Sequence, residues 1–339
     1  MAVLRTALIG YGLGGRVIHR PLLQAVDTIA LTHVVTADDG RRAQAGTEVP
    51  DAVLLRSPDE LWDRAEELDA VVVVTTNDAH VPLATRALDL GKAVVVDKPL
   101  ATTSADAAAL VVHAERKGLP LSVFHNRRWD SDTLTAAALL SSGELGAVHR
   151  LESRFTRFRP QVVDRWRERP GGGVLLDLGT HLVDQAVHLL GPVDAVYAEV
   201  AARRSGAVVD DDVFLALTHA SGASSLLWCS AAAPWTGPRL VLQGARAGWH
   251  KAELDGQEAA QRDGTPLPPE PDGALWDEDG TRPVPSRQGD WAAFYRGFAD
   301  AAQHGAPVPV DPADAVAVLR VLEAAQRSAA ERAVVSLDR

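Results

Sequence analysis

Short apolar runs alternate with segments of helical spacing over the first 125 residues of the chain. The strongest strand signal, Asp69–Thr76, is β-branched and apolar on both faces, as expected for a strand buried on both sides of a parallel sheet. The pattern predicts strands at Val3–Ile9, Ile29–Thr36, Asp51–Leu55, Asp69–Thr76, Ala93–Val96 and Leu119–Phe124, and helices at Arg16–Val26, Asp78–Leu90 and Thr103–Lys117. Strands that alternate with helices predict an α/β fold with a doubly wound parallel sheet.

The pattern changes after His125, where extended segments follow one another with short turns. Strands are predicted at Ala147–Phe158, Val193–Arg203, Val213–Ala220, Ala223–Ala231 and Leu240–Gly244, and helices at Asp132–Leu140, Gly171–Leu190, Asp290–His304 and Pro312–Arg332. The segment Arg262–Arg287 is rich in Pro, Gly and Asp and is expected to be a surface excursion. Strands in succession indicate an antiparallel sheet, so we expect two domains, residues 1–124 and 125–339.

Composition excludes several classes of protein. Hydrophobic residues make up 46% of the chain and charged residues 23%, the balance of a folded globular protein. The formal net charge of −11 argues against nucleic acid or an anionic membrane surface as a partner. The lone Cys229 allows no internal disulfide, and no metal site is expected. With neither a signal peptide nor an apolar run of ~20 residues in view, we expect a cytoplasmic protein that does not enter the membrane.

A glycine-rich turn follows the first predicted strand and opens a helix. Its residues, Gly10-Tyr11-Gly12-Leu13-Gly14-Gly15, match G-x-G-x-x-G. In this motif the first glycine permits a tight turn, the second lets the backbone approach a pyrophosphate, and the third permits close packing of helix and sheet. The strand–turn–helix context therefore predicts a dinucleotide-binding site rather than an ordinary glycine-rich turn.

The end of the second strand bears on the choice between NAD and NADP. An acidic residue at this place binds the ribose 2′-hydroxyl of NAD, whereas Thr36 occupies it here. A threonine hydroxyl tolerates a 2′-phosphate, which Arg41 or Arg42 could neutralise. Asp38 could serve NAD instead if the register differs by two residues. We favour NADP and keep NAD as the alternative.

Lys98 is a candidate catalytic residue because of its position and its rarity. The chain has four lysines among 34 basic residues, and Lys98 lies at the carboxyl end of the fifth predicted strand. The carboxyl ends of strands line the ligand crevice of a doubly wound sheet. Unlike arginine, lysine can lose its proton when its surroundings demand it. An ordinary surface lysine in a turn is the alternative interpretation.

A second candidate pair lies on the helix that follows Gly171-Gly172-Gly173. Asp177 and His181 are four residues apart and therefore share a face of a helix. A histidine beside a carboxylate is oriented and can accept a proton near neutral pH. Asp184 and His188 repeat the spacing, but no third convergent metal ligand accompanies them.

Together these elements resemble the Gfo/Idh/MocA oxidoreductase family, and most closely its scyllo-inositol-dehydrogenase-like members. The lysine motif appears as Asp97-Lys98-Pro99, and the family's G-G-G-x-x-x-D-x-G-x-H helix runs from Gly171 to His181. Further matching segments are Ile9–Gly12, His19–Leu22, Phe124–Asp130 and Asp164–Arg167. The resemblance covers nearly the whole chain and implies a Rossmann domain followed by an α/β domain with a large open, mainly antiparallel sheet.

The resemblance also implies roles for individual residues. Lys98 would be the catalytic lysine, His181 the acid/base, and Asp177 the group that positions substrate and histidine. Thr75, Thr76, Asn77 and His80 would line the nicotinamide side of the cleft, and Asp97 is a further candidate for cofactor binding. Trp129 and Trp166 could stack on a sugar ring or on the cofactor. Asp97 stands where the family has glutamate, and Thr36-Ala37 lacks the arginine that similar proteins often place on the NADP phosphate.

The resemblance predicts NAD(P)-dependent oxidation of a secondary alcohol of a sugar, inositol or related polyol. Lys98 and His181, which come from different domains, are expected to act on one substrate hydroxyl. One alternative is a redox-neutral enzyme that oxidises its substrate transiently, as in family members that cleave glycosidic bonds. Another is a non-enzymatic sensor of dinucleotide and sugar. The family's open sheet usually forms an oligomer interface, so a homodimer or homotetramer is expected.

Overall fold

The computed structural model describes residues 3–164 and 166–337, with the side chain of Trp166 outside the description. The chain forms two compact units. The first contains the described residues up to Asn126 together with Gln257–Leu267 and Asp290–Val316. The second contains Arg127–Gly256, Pro268–Gly289 and the described residues from Ala317 onward. Each unit thus includes segments that are distant in sequence.

A six-stranded parallel sheet forms the centre of the first unit, as the alternating pattern predicts. Its strands are β1 (Leu4–Ile9), β2 (Ile29–Val35), β3 (Val53–Leu55), β4 (Ala70–Val73), β5 (Ala93–Asp97) and β6 (Leu121–Phe124). They lie in the order β3-β2-β1-β4-β5-β6 with every pairing parallel. All residues of β4 are buried, in agreement with its apolar character on both faces.

Helices connect these strands. They are α1 (Arg20–Gln24), α2 (Asp39–Glu48), α3 (Pro58–Trp62), α4 (Asn77–Asp89) and α5 (Ser104–Lys117). The predicted helix Arg16–Val26 is instead composed of a π-helical turn, Gly14–His19, that continues as α1. The glycine turn thus passes into helix earlier than the apolar spacing indicates, because Gly14 and Gly15 give that spacing no side chain to register.

A nine-stranded sheet forms the centre of the second unit. The elements after β6 are, in chain order, α6 (Ser131–Ser142), β7 (Val148–Thr156), α7 (Thr180–Leu190), β8 (Val193–Ala201), β9 (Asp212–His219), β10 (Ser224–Ser230), β11 (Leu240–Gly244), β12 (Gly248–Lys251), α8 (Gln257–Asp263), β13 (Gly273–Asp277), β14 (Gly280–Val284), α9 (Ala292–His304), α10 (Pro312–Glu331) and β15 (Val335–Ser336). Of these, α8 and α9 belong to the first unit. The strand order is β14-β13-β12-β11-β7-β10-β9-β8-β15. Its pairings are antiparallel except that between β7 and β10, which confirms the expected α/β class with a mainly antiparallel second sheet.

The segment Arg262–Arg287 lies largely at the surface, as its composition suggests, but it has regular structure that the composition does not predict. It contains β13 and β14, which form a hairpin in the nine-stranded sheet. Lys251 is fully buried under this segment, where its ammonium group donates to the carbonyl of Pro271 at 2.7 Å and meets Glu270 at 3.2 Å. The buried ammonium group of Lys251 on β12 therefore anchors the segment that leads into the hairpin.

The helix predicted at Gly171–Leu190 also begins later than expected. A π-helical turn at Leu175–Gly179 leads into α7. Gly173 has φ +104°, a conformation that a right-handed helix cannot contain. Within the described part of the chain no helix is both long and apolar enough to cross a membrane.

Candidate active site

The glycine turn after β1 has the close contacts that its motif requires. Gly10 has φ +104°, and a Cβ built on it would lie 1.9 Å from the carbonyl oxygen of Val74. At Gly12 the nearest atom to such a Cβ is Nη1 of Arg41, at 3.8 Å. The space above Gly12 is therefore open, and Leu13 beside it is 59% exposed. These features fit a pyrophosphate that approaches the backbone at Gly12.

Tyr11 is buried and fixes the turn to α2. Its hydroxyl donates to Glu48 at 2.8 Å, and Arg16 forms an ion pair with the same carboxylate at 2.6 Å. Burial and the Glu48 charge raise the pKa of Tyr11 well above its usual range. Since the ring has almost no exposed surface, Tyr11 can offer a dinucleotide only its main chain.

Of the two arginines predicted near the adenosine ribose, Arg41 has the better geometry. Arg42 contacts Asp39 in the first turn of α2. The Arg41 side chain is exposed beside Gly12 and forms no ion pair with another described residue. Thr36 is buried directly after β2, while a carboxylate oxygen of Asp38 caps α2 by accepting the Arg41 backbone N–H at 2.8 Å. The cap uses one of the two carboxylate oxygens of Asp38, the acid considered above for an NAD site.

Lys98 is half-buried and follows the last residue of β5, as predicted. Oδ1 of Asp97 accepts the Lys98 backbone N–H at 2.9 Å, and the Lys98–Pro99 peptide bond is cis. Oδ2 of Asp97 lies 3.6 Å from a Cβ built on Gly14, so the carboxylate adjoins the glycine turn. Burial opposes the charge of Asp97, but His19, Lys98 and His80 outweigh it and keep the pKa of Asp97 below its usual range.

The residues after β4 adjoin the same turn. Thr75 and Thr76 lie on the loop that leads into α4, which begins at Asn77. His80 on the first turns of α4 is 1% exposed, and its Nδ1 lies 2.7 Å from the carbonyl oxygen of Pro99. The first unit therefore brings Gly14, Asp97, Lys98 and His80 together.

In the second unit Asp177 and His181 are both buried, each 8% exposed. Nε of Arg167 lies 3.0 Å from Oδ2 of Asp177, so the positive guanidinium group forms an ion pair with this carboxylate. Asp210 accepts the Leu175 backbone N–H at 2.7 Å and so caps the π-helical turn that carries Asp177. The same carboxylate explains why position 173 is a glycine, because a Cβ there would lie 2.1 Å from an oxygen of Asp210.

A pocket within the second unit opens beside Asp177. Arginines 157, 159, 167 and 204 line it together with Glu168 and Asp210. Arg204 is buried between Glu168, at 2.6 Å, and Asp211, at 2.9 Å. The guanidinium of Arg157 lies 4.8 Å from the centre of the Phe155 ring. A polar pocket of this kind offers charged donors and acceptors to hydroxyl groups.

Asp184, which repeats the Asp177–His181 spacing with His188, forms an ion pair on α7. Asp184 pairs with the buried Arg128 at 2.6 Å. Over the described ranges, no group of three or more His, Cys, Asp or Glu side chains could hold a metal ion.

Two predicted tryptophans have different outcomes. Trp129 is half-buried and ends the 3₁₀ turn Asn126–Trp129. The side chain of Trp166 lies outside the described residues. Sequence reasoning missed Tyr295 and gave His19 no role, although the matching segment His19–Leu22 was visible. It also missed Arg167 and Asp210 as partners of the Asp177 turn.

Three comparisons place the chain among known proteins. Residues 4–125 match the model of an oxidoreductase family with an NAD-binding Rossmann fold, and residues 133–250 match the GFO/IDH/MocA C-terminal domain. The chain is 34% identical to scyllo-inositol 2-dehydrogenase (NADP(+)) IolW of Bacillus subtilis, over 99% of this chain and 96% of that protein. It is 37% identical to the uncharacterized oxidoreductase YdgJ of Escherichia coli, over 98% and 99%.

Solved structures agree with this assignment. The structure of yvaA from Bacillus subtilis superposes with a TM-score of 0.93 at 32% identity and covers 99% of both chains. The matched models cover the six-stranded sheet and strands β7 to β11 of the nine-stranded sheet. The glycine turn, the lysine turn and the Asp177 helix all lie within the matched residues. The chain therefore belongs to the Gfo/Idh/MocA family of NAD(P)-binding oxidoreductases.

Proposed function

We propose that this protein is an NADP-preferring dehydrogenase that oxidises a secondary alcohol of an inositol, sugar or related polyol. The observation that carries the proposal is the meeting of the lysine turn with the glycine turn, where Asp97 lies 3.6 Å from the Cβ position of Gly14. A lysine beside a dinucleotide-binding turn is suited to assist proton removal from an alcohol. The name of the 34% identical relative, scyllo-inositol 2-dehydrogenase, supports a polyol as the substrate class.

The proposed chemistry divides between the two candidate groups. His181 accepts the hydroxyl proton, and Lys98 takes part in the same proton transfer through its own amino group, which, unlike a guanidinium, can give up and regain a proton. Asp177, held by Arg167 at 3.0 Å, accepts a hydrogen bond from the substrate and orients it. When bound, the nicotinamide dinucleotide supplies the acceptor for the hydride that leaves the same carbon. The alcohol thus loses one proton and one hydride and becomes a carbonyl group.

Arg41 supports the choice of NADP. Its exposed guanidinium lies beside Gly12, and the alternative acid Asp38 is already used to cap α2. Thr36 adds no negative charge that would repel a 2′-phosphate.

The test is the steady formation of reduced cofactor from a panel of inositols, aldoses and other polyols with either NAD or NADP. We expect turnover with at least one cyclic or linear polyol and a higher kcat/KM with NADP. A tightly bound cofactor that cycles without net reduction would favour transient oxidation instead. Cofactor and polyol binding without any chemistry would favour a sensor. Either result would refute the proposed dehydrogenase.

The nine-stranded sheet is also the surface we propose for self-association. Phe214 on β9 and Trp228 on β10 are directly paired neighbours, and both stay partly exposed, as does Leu226. Apolar side chains grouped on a sheet face favour burial against another surface. A second copy of the chain, in a homodimer or homotetramer, is the proposed partner.

A further inference from the structure

We propose that His19 and His80, two buried histidines, are positioning residues that hold the Lys98 turn from its two sides. The inference rests on the proposed role of Lys98 in proton transfer. Both histidines are 1% exposed, so neither can reach solvent. Each contacts a residue adjacent to Lys98: His19 contacts Asp97, and His80 contacts Pro99.

His80 fixes the residue after the lysine. A carbonyl oxygen can only accept, so Nδ1 of His80 carries the proton that is donated to the oxygen of Pro99, 2.7 Å away. Nε2 of His80 is buried without a hydrogen-bond partner among the described residues. Because the hydrogen bond to Pro99 requires a proton on Nδ1, the Lys98 turn determines which tautomer the His80 ring adopts.

His19 fixes the residue before the lysine. Its Nδ1 lies 2.5 Å from the hydroxyl of Tyr295, and its Nε2 faces Oδ1 of Asp97 at 3.7 Å. An N–H at Nε2 points toward a carboxylate, which leaves Nδ1 to accept the tyrosine hydroxyl proton. The 3.7 Å separation is an electrostatic contact rather than a hydrogen bond. Tyr295 thus orients His19, and His19 orients Asp97.

The contacts leave little freedom in the main chain at Lys98. Oδ1 of Asp97, which His19 faces, also accepts the Lys98 backbone N–H at 2.9 Å. The carbonyl oxygen of Pro99, one residue further on, accepts a hydrogen bond from His80. Asp97 and Pro99 are therefore restrained by histidines of the π-helical turn and α4, while Tyr295 of α9 holds the first of these histidines. With its neighbours held in this way, the position of the Lys98 amino group depends mainly on its own side-chain rotamers.

Restraint of this kind matters because proton transfer depends on geometry. A misplacement of about 1 Å at a reacting group costs on the order of 100-fold in rate. The buried Tyr295 and Phe124 rings pack at a centroid distance of 5.6 Å, so the support behind His19 belongs to a close-packed core. Loosening either histidine should therefore lower kcat while the open cofactor turn at Gly12 is left unchanged.

The decisive comparison is between His80→Asn and His80→Gln. The asparagine amide places an N–H donor at the position of Nδ1, whereas the glutamine amide places it near Nε2, away from Pro99. We expect His80→Gln to lower kcat about 10- to 100-fold and His80→Asn to restore most of that loss. Because the His80 ring is 1% exposed and therefore offers a cofactor almost no surface of its own, the Kd of NADPH should stay within about twofold of the unmodified value in both variants. Tyr295→Phe, which removes one oxygen, should lower kcat about 3- to 10-fold and shift the pH dependence of kcat.

Chemical labelling gives a readout that does not depend on turnover. The rate at which acetic anhydride modifies Lys98, followed by peptide mass spectrometry across pH, should change in His80→Gln and Tyr295→Phe but not in His80→Asn. The labelling of Lys117, on the surface of α5, serves as the control within each sample.

Equal kcat and equal Lys98 labelling in the two His80 variants would overturn the proposal. A fall in activity that is matched by the same loss of melting temperature and NADPH binding would also overturn it, since this would show support of the fold alone. If no polyol is oxidised by the unmodified protein, the proposed function fails, and the labelling pattern still decides whether the two histidines position Lys98.

Discussion

Replacing Arg41 with alanine tests the cofactor preference most directly. The guanidinium lies beside Gly12, with Nη1 3.8 Å from the position that a Cβ would occupy there. This is the side of the turn that faces a bound dinucleotide in a Rossmann unit. Because Arg41 is exposed, we expect its bond to a 2′-phosphate to contribute at the low end of the ~1.5–3 kcal/mol typical of charged hydrogen bonds. At about 1.4 kcal/mol for each factor of ten, Arg41→Ala should weaken NADPH binding roughly 10- to 30-fold.

The assay is a titration of intrinsic tryptophan fluorescence with NADPH and with NADH at low and high salt. NADH binding should change by less than about twofold, because NADH lacks the 2′-phosphate. The loss for NADPH should shrink as salt screens the exposed charge. Arg42→Ala is the matched control, since Arg42 contacts Asp39 and its removal should leave the ratio of the two affinities unchanged. Equal weakening of both cofactors by Arg41→Ala, or tighter NADH binding by the unmodified protein, would refute the assignment.

Three further predictions concern catalysis, stability and assembly. Lys98→Arg keeps the charge but fixes the proton, so kcat should fall about 10²–10⁴-fold with the Kd of NADPH nearly unchanged; near-full turnover would show that Lys98 transfers no proton. Burial lowers the pKa of His219, against the opposing effect of the Gly191 and Pro192 carbonyls, so the folded state binds this proton less readily than the unfolded chain. Its contribution to stability should be complete above about pH 6.5 and be lost as the pH falls below that value, and melting temperatures measured across this range should fall less steeply for His219→Gln. Leu226→Arg places a charge on the exposed sheet face and should convert the proposed oligomer to a 36.0 kDa monomer in light scattering, whereas an unmodified protein that already measures 36.0 kDa would contradict self-association.

The parts of the fold that sequence predicts well are those fixed by neighbouring residues. The β-branched run at β4 determines a buried parallel strand, and the glycines at 10, 12 and 15 determine a tight turn, so local patterns suffice to place Lys98 at the end of a strand. The hairpin of β13 and β14 was hidden because Pro and Gly dominate its flanks, although the Asp279-Gly280 pair before Thr281 was a usable turn signal.

Contacts between distant segments had no such local signal. Tyr295 lies 276 residues from His19, and no periodicity in either segment indicates that their side chains meet. The same holds for Asp210, which caps the helix turn of Asp177 from a separate loop. The residues that bear the proposed chemistry were therefore accessible from motifs, whereas the residues that hold them in place were accessible only from the folded chain.

The interleaved chain path of the first unit has a consequence during synthesis. Phe124 packs edge-on against Phe294, with ring centroids 5.0 Å apart, and the last segment of this unit ends at Val316, about 190 residues after Asn126. At ~5–20 residues per second, a ribosome needs roughly 10–40 s to supply the missing segments. During that interval the nascent Rossmann sheet presents an aromatic surface without its cover, which is a natural binding site for chaperones. A fragment that stops at residue 124 should keep that surface permanently and aggregate, even though it contains all six parallel strands.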